Sequence, residues 1–581
     1  MAMLGKKDPF PDSFLQQHLN PMFLEVLVNY WETLKAAEVS TEEQVQVQDA
    51  LFNLIRFCFR HLFEPLYLQY SPHLKGDVFL LTVVHSDGIG DYITLLKCAQ
   101  LLQHCHPTVN VHVIYTHKQD LPQLDLSLYG LNERNVHAYR LTDDPRSAVL
   151  ENVLEQKKGY SWKDESEKLK EEKKKIQQEI RDLRQTHSYA AEALEEVLLS
   201  IDQSSQEADF FSAKQSEAEH LYQQIKKSLG LIHISLALNT FDNPDLASYS
   251  LYFSEAGNFQ GIGNYLQRQW FSMGLDPFEE GIFIKKEPHP GQWFNDVLTK
   301  YLWGQVQPSP EVLENYLKNH ALHLAYLPRC VEQRDLYIKL VCLNSVEDKH
   351  HIDIILPTCS PEQKFSFDHL WMKSQCISKV IEVEGVSSLH EKVLEETDVR
   401  EGKTLRLIYI LPISSTDFLK LMALSEDIVG CTGDGSLSDC LKLDKIPFYE
   451  IRPHKVQVVQ SFKHVAKKMI LPDVVQYFEL LEQISNWPAL SFAQSLSDLV
   501  SKESFKTQWH ELLKFIRDYY CFEESFISHV NRHFFSSIIP ALKEKEDRLA
   551  KDFFDGSLTA ESAYNTLEQI LKNHSSPDFL D

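Results

Sequence analysis

This chain has no apolar run approaching the ~20 residues that a membrane-spanning helix needs, although it is 581 residues long. A membrane span is therefore excluded. Its opening residues, Met1 to Asp8, hold no apolar core of the kind a Sec-type signal requires. Ten cysteines form no Cys-x-x-Cys pair and no metal-ligand spacing, Cys98 and Cys105 being the nearest two. Buried free thiols in a reducing cytosol are expected instead. Positive charge is scarce: 58 Lys and Arg stand against 83 Asp and Glu, for a net charge of −25. That excludes a nucleic-acid surface as the main function. No Asp-x-Asp occurs, so the acidic pair that metal-dependent transfer usually shows is missing. His350 and His351 are adjacent and do not offer the i, i+4 face of a helical zinc site. Neither a metal nor a cofactor is expected.

What is there is an alternation of strands and helices. At 43% hydrophobic residues the chain can build ordinary cores, and its length predicts two to four domains. Residues 1–75 read as a helical segment, with Leu19, Phe23, Val26, Leu27 and Trp31 at helical spacing. Val78–Val84 is continuously apolar, as in a buried parallel strand. A helix from Tyr92 to Leu102 and strands at Val109–Tyr115 and Val136–Leu141 follow. This βαβ start opens a first Rossmann-like domain over 76–310. Residues 155–228 interrupt it. Leu169, Ile176 and Leu183 recur at heptad spacing with Ile180 between them, a short coiled-coil seam. Leu194–Ile201 and Leu221–Ile225 predict two further helices of an inserted hairpin. The basic tract Lys170–Lys175 contains two Glu and reads as a solvated face.

The α/β rhythm resumes with a strand at Leu231–Leu238. The glycine-rich stretch Ser254–Asn264 reads as an active-site loop or a long connector, and Gly281–Ile284 as a short strand. A second Rossmann-like domain spans 320–455, with strands at Leu322–Leu327, His351–Leu356, Val380–Val383, Leu405–Leu411, Asp427–Gly430 and Ile446–Ile451. Strands alternating with helices imply a parallel, doubly wound sheet. Residues 456–581 read as a helical region.

Two glycine-and-aspartate turns carry the chemistry. Ser86-Asp87-Gly88-Ile89-Gly90-Asp91 follows the first strand, and Gly430-Cys431-Thr432-Gly433-Asp434-Gly435-Ser436 follows Leu424–Val429. Each lies where a buried strand hands over to a helix, the place where open α/β sheets bind ligands. One turn in each half predicts two domains facing a cleft. Glycines let the backbone approach a phosphate, and the helix from Ser436 would aim its free N–H groups and positive end at it. Ser436 would donate a hydroxyl or cap the helix. Asp434 repels phosphate and suits sugar hydroxyls, so the ligand expected is a nucleotide-sugar. The plain alternative is an ordinary glycine-rich β–α turn with a helix cap.

The span from Ser425 to Gly430, through Lys445 to Ile451, resembles the donor-binding region of GT-B glycosyltransferases. Among these it resembles bacterial protein-arginine rhamnosyltransferases, whose donor loop reads Gly-acidic-acidic-Ser before a Pro-Phe-aromatic strand. Gly433, Asp434, Ser436, Pro447 and Phe448 match, and Gly435 departs from the pattern. The first turn resembles the acceptor-side loop of those enzymes and the first loop of heptosyltransferases. The resemblance covers one short loop in the first domain and the span 425–451 in the second. It implies a donor site of Thr432, Gly433, Asp434, Gly435, Ser436 and Phe448. It implies an acceptor-side loop of Ser86, Gly88 and Gly90, with Asp91 or Asp87 as the base. A metal-independent transfer to an acceptor such as a protein side chain follows. The expected setting is cytoplasmic, or a host cytosol reached by a secreted bacterial effector.

Rival readings fare unevenly. A Gly-x-Gly-x-x-Gly dinucleotide fingerprint would need glycine at 93, where Ile93 stands, and the second strand ends Tyr115-Thr116-His117 without an acidic residue for a ribose. No Gly-Lys-Ser/Thr follows either turn, which excludes a P-loop there. A non-catalytic scaffold that keeps the fold and a sugar-nucleotide epimerase of the same fold stay open.

Overall fold

A computed structural model describes residues 19–36, 62–83, 90–117, 136–142, 162–183, 188–235, 250–254, 270–276, 279–286, 294–302, 309–328, 330–344, 349–360, 364–365, 367–384, 390–451, 455–484 and 489–575. The protein is an α/β molecule of two Rossmann-like halves, with an inserted helical hairpin and helical extensions. In the first half, β1 (Gly76–Val83), β2 (Val109–His117), β3 (Val136–Thr142), β4 (Gly230–Ser235), β5 (Ser250–Ser254) and β6 (Trp270–Ser272) form one sheet. Its order is β3-β2-β1-β4-β5-β6, and every pair is parallel. This is the doubly wound order in which the sheet reverses direction beside its first strand. Val78, Phe79 and Leu80 of β1 are fully buried, as its unbroken apolar run requires of a central strand.

Between β3 and β4 the chain leaves the sheet as two packed helices, Trp162–Leu183 and Ser188–Lys227. Ser166 and Ile180 on the first and Ser205, Ala208 and Ile225 on the second are buried. Lys170 pairs with Asp209 and Lys173 with Asp202 across the seam. The second and third helices read from the sequence are one continuous helix. Its 40 residues contain neither glycine nor proline, so nothing in the backbone breaks it between the two apolar clusters.

In the second half, β7 (His320–Leu324), β8 (His351–Pro357), β9 (Ile377–Glu384), β10 (His390–Glu396) and β11 (Lys403–Leu411) form a sheet of order β10-β9-β11-β8-β7. β12 (Ile428–Cys431) and β13 (Ile446–Tyr449) pair in parallel and extend it beside β7, where Tyr326 N–H donates to Gly430 O at 2.8 Å and Glu426 N–H to Leu322 O at 2.7 Å. β10 is antiparallel and was not visible in the sequence pattern. It reads His-Glu-Lys-Val-Leu-Glu-Glu, and charge on an edge strand keeps that edge from pairing with other chains.

The described helices from Val456 to Lys572 are divided between two cores. Helices Val456–Lys468, Pro472–Glu482, Ala489–Val500 and Glu503–Tyr519 pack on the second half through Tyr477, Phe492, Phe505 and Trp509. Helices Phe522–Ile538, Leu542–Phe554 and Ala560–Lys572 pack on the first, through Phe522, Phe526, Phe534 and Leu567. The crossing is tight. Ile282 N–H donates to Tyr520 O and Phe522 N–H to Ile282 O, both at 3.0 Å. Gly281 has φ +90°, and a Cβ there would lie 2.1 Å from the Tyr520 carbonyl oxygen. The amino-terminal helix Pro21–Ala36 touches both halves: Met22 joins the second core, and Phe23 the first.

Candidate functional site

The turn after β12 is closed from within. Thr432 leaves the strand with φ −131° and leads into the Gly433–Lys442 helix. Ser436 donates its hydroxyl to the Thr432 carbonyl at 2.7 Å and accepts the Thr432 N–H at 3.1 Å. The Thr432 hydroxyl donates to the buried Glu450 carboxylate. Glu450 N–H in turn donates to Cys431 O at 2.8 Å, so the ends of β12 and β13 and the start of the helix form one hydrogen-bonded unit. Ser436 is a clasp inside the turn, and both hydroxyls belong to buried residues.

Gly433 faces the other way. Its φ is +77°, and a Cβ built on it meets nothing within 4 Å. Glycine takes this left-handed conformation at little cost, and here it sets bare backbone against open space at the helix's first turn, where N–H groups have no partner within the helix. Asp434, the next residue, is ion-paired with Lys455, and the Tyr449 hydroxyl lies 3.4 Å from Asp434 Oδ1. Phe448 is fully buried with its ring edge-on to Tyr337, 5.6 Å away. It packs the core beneath the turn rather than lining the turn itself.

From the first half, Gly90 and Asp91 are the first two residues of the Gly90–Cys105 helix. Ser86, Asp87 and Gly88 lie outside the described residues, as do residues 255–264 of the glycine-rich stretch. The placement of the helix is informative. Ile93 lies 4.0 Å from a Cβ built on Gly435, and Lys97 Nζ lies 2.8 Å from Asp439 Oδ1. The steps from 93 to 97 and from 435 to 439 are each one helical turn. The two helices therefore run side by side in the same direction, with their amino-terminal ends together. Each such end carries roughly half a positive charge, and Lys455 stands by the turn with its charge met by Asp434. This assembly would hold an anion with two or more charged oxygens.

Sequence reading named the turns but missed Lys455, Tyr449 and the Lys97–Asp439 tie. Tyr449 had a signal: it ends β13, which parallels β12, so its side chain reaches the same edge as the turn. Lys455 had none, because 21 residues separate it from Asp434. Among the described residues no helix is long and apolar enough to cross a membrane. Cys98, Cys431 and Cys440 are buried free thiols, and burial pushes the buried Cys342 thiol up to about 12.

No family model matches the chain, and no curated protein matches it. Solved structures do. The spinosyn rhamnosyltransferase is 8% identical, with 75% of this chain and 96% of that one covered and a TM-score of 0.32. An E. coli heptosyltransferase with ADP-2-deoxy-2-fluoro heptose is 10% identical, with 64% and 89% covered and a TM-score of 0.23. A UGT transferase from Siraitia grosvenorii in complex with UDP is 11% identical, with 86% and 99% covered and a TM-score of 0.28. A likeness of this size says nothing about activity, and the fold rests on the strand order and register of the chain itself.

Proposed function

We propose that this protein is a glycosyltransferase that moves a sugar from a nucleotide-sugar to an acceptor and needs no metal at its donor turn. One observation carries the reading: the helices that follow the two glycine turns, one from each half, run parallel with their amino-terminal ends together, beside Gly433 and Lys455. A donor diphosphate laid on Gly433 would meet helix N–H groups and the Lys455 ammonium. In transfer, an acceptor oxygen or nitrogen attacks the anomeric carbon. The bond from that carbon to the diphosphate oxygen breaks, and its electron pair leaves with the diphosphate. The acceptor proton passes to a base, for which Asp91 and Asp87 are the candidates. The two helix ends and Lys455 stabilise the charge that grows on the leaving group. Asp434, released from Lys455 or sharing it, is placed to accept a sugar hydroxyl. The sequence resemblance adds a protein side chain as acceptor.

Thermal-shift and calorimetric screening of the whole chain against UDP-, GDP-, dTDP- and ADP-sugars tests this. One nucleotide-sugar should raise the melting temperature, and Lys455→Met should weaken its binding. A chain that responds to none of the four is not a transferase of this kind.

A further inference from the structure

A second polar cluster lies where the carboxy-terminal helices cross into the first half. Glu64 comes from the helix over 62–69, Glu280 from the segment that pairs with the crossing at Tyr520, and His529 from the Phe522–Ile538 helix. Ligand atoms of all three lie within 4.8 Å of one another. Glu280 and His529 are 4% and 5% exposed, while Glu64 is the half-buried member on the solvent side.

The orientation of His529 separates this cluster from an ordinary ion pair. Its Nε2 lies 2.9 Å from Glu280 Oε2 and 3.5 Å from Glu64 Oε1, yet that buried nitrogen makes no hydrogen bond. It lies close to both carboxylate oxygens without hydrogen-bond geometry to either. The ring is held there by Phe271, stacked at 3.7 Å between centroids and 24° between planes. The Ser525 hydroxyl donates to Glu280 Oε2, an outer partner of the kind that orients a metal-ligating carboxylate.

We propose that Glu64, Glu280 and His529 form a site for one divalent transition-metal ion. One imidazole and two carboxylates suit zinc and its neighbours in the first row, which nitrogen and oxygen donors bind in the order manganese, iron, cobalt, nickel, copper, with zinc below copper. The ion would fasten three distant parts of the chain where the carboxy-terminal helices cross into the first half. It belongs to none of the residues assigned to transfer, so its test stands apart from that reading.

The full chain, stripped with a chelator and then dialysed free of it, is titrated with Co²⁺ and followed by visible absorption, and separately with Zn²⁺ by calorimetry. The expected result is saturation at one ion per chain, a visible Co²⁺ band of a site with fewer than six ligands, and displacement by one equivalent of Zn²⁺. His529→Ala should abolish the band. Glu64→Gln, a change of charge without a change of shape on the solvent side, should lower affinity at least about 100-fold. Ser525→Ala should lower it about 10-fold, as loss of an outer partner does. A wild-type chain that binds no stoichiometric metal overturns the site. So does equal binding by wild type, His529→Ala and Glu64→Gln. The trio is then an imidazole held between two carboxylates.

Discussion

The two halves present a helix amino terminus to the same place by different means. In the second half the turn is fastened by buried polar groups: Ser436 on Thr432, Thr432 on Glu450, and Glu450 N–H on Cys431. In the first half the corresponding helix is held by apolar packing, with Leu95, Leu96, Cys98, Ala99 and Leu102 fully buried against the sheet. A hydrogen-bonded turn has one geometry, because each partner must be met or left buried and unsatisfied. An apolar face fixes distance but tolerates small sliding. Under the proposed function, the donor side would be the preset half and the acceptor side the one that adjusts. Substitutions that hit one half only are the means of breaking this contrast.

The largest effect should come from the acceptor side. Asp91→Asn keeps shape and helix start but removes the carboxylate proposed as base, so single-turnover transfer should fall about 10²–10⁴-fold while calorimetry shows donor affinity unchanged. If Asp91→Asn and Asp87→Asn both turn over at the wild-type rate, neither is the base. If Asp91→Asn instead weakens donor binding, the two halves share one site and the division of labour above is wrong.

Acid should strain the halves unequally. His106, in the first half, bonds Asn531 at 2.7 Å, and burial pulls its pKa down to about 4. His323, on β7 of the second half, is buried with no hydrogen-bond partner on either nitrogen, and burial pulls it down to about 3. Both are neutral when folded. Below the unfolded value near 6.5 the unfolded chain takes up protons that the folded chain refuses. Stability is therefore full above that pH and falls as pH drops towards 4 and 3, by on the order of 3 kcal/mol for His323. His323→Leu should flatten urea midpoints measured from pH 7 to pH 4. His106→Leu should not help, since it leaves the Asn531 carbonyl oxygen without its partner. Equal pH slopes for wild type and His323→Leu would remove this difference between the halves.

A smaller effect is expected at the open side of the donor turn. Lys455→Met removes the charge proposed to meet the diphosphate and should weaken donor binding by about 1.5–3 kcal/mol in calorimetry. Gly433→Ala meets no steric obstacle, so its cost is the left-handed backbone alone, about 1–2 kcal/mol in a denaturant melt. A silent Gly433→Ala would mean that the turn relaxes, against the preset character argued for it.

How far the sequence disclosed this arrangement follows from what each element depends on. β1, β8 and β11 were legible because a strand buried on both faces carries an apolar run, as Val78–Leu81, Ile354–Leu356 and Leu407–Leu411 do. β10 was not, since an edge strand is chosen for charge and looks like a loop. The long helix Ser188–Lys227 was read in pieces because apolar clusters mark where a helix is buried, whereas its continuity depends on the absence of glycine and proline. At the candidate site, Gly433 and Asp434 were named from local pattern. Lys455 and the parallel setting of the two helices were not, because both are products of chain crossing and leave no local spacing. The same holds for the split of the carboxy-terminal helices at Tyr520, which turns on one close approach to Gly281.

The finest test of the contrast is the tie between the halves. Lys97 and Asp439 are about one-fifth exposed and 2.8 Å apart, and they join the two helices one turn below Ile93 and Gly435. Their Coulomb energy is moderated by solvent on one side, and holding a lysine chain in place costs entropy, so a coupling of about 0.2–1 kcal/mol is expected. A double-mutant cycle of Lys97→Met and Asp439→Asn in thermal melts measures it free of each variant's separate effects. It should shrink with added salt, as exposed charge pairs do. The same cycle read in donor affinity sharpens the comparison. If the first half adjusts while the second is preset, breaking the tie should move transfer rate more than donor binding. A cycle that shifts donor affinity by its whole coupling energy would show that the Gly90–Cys105 helix is as fixed as the turn it faces.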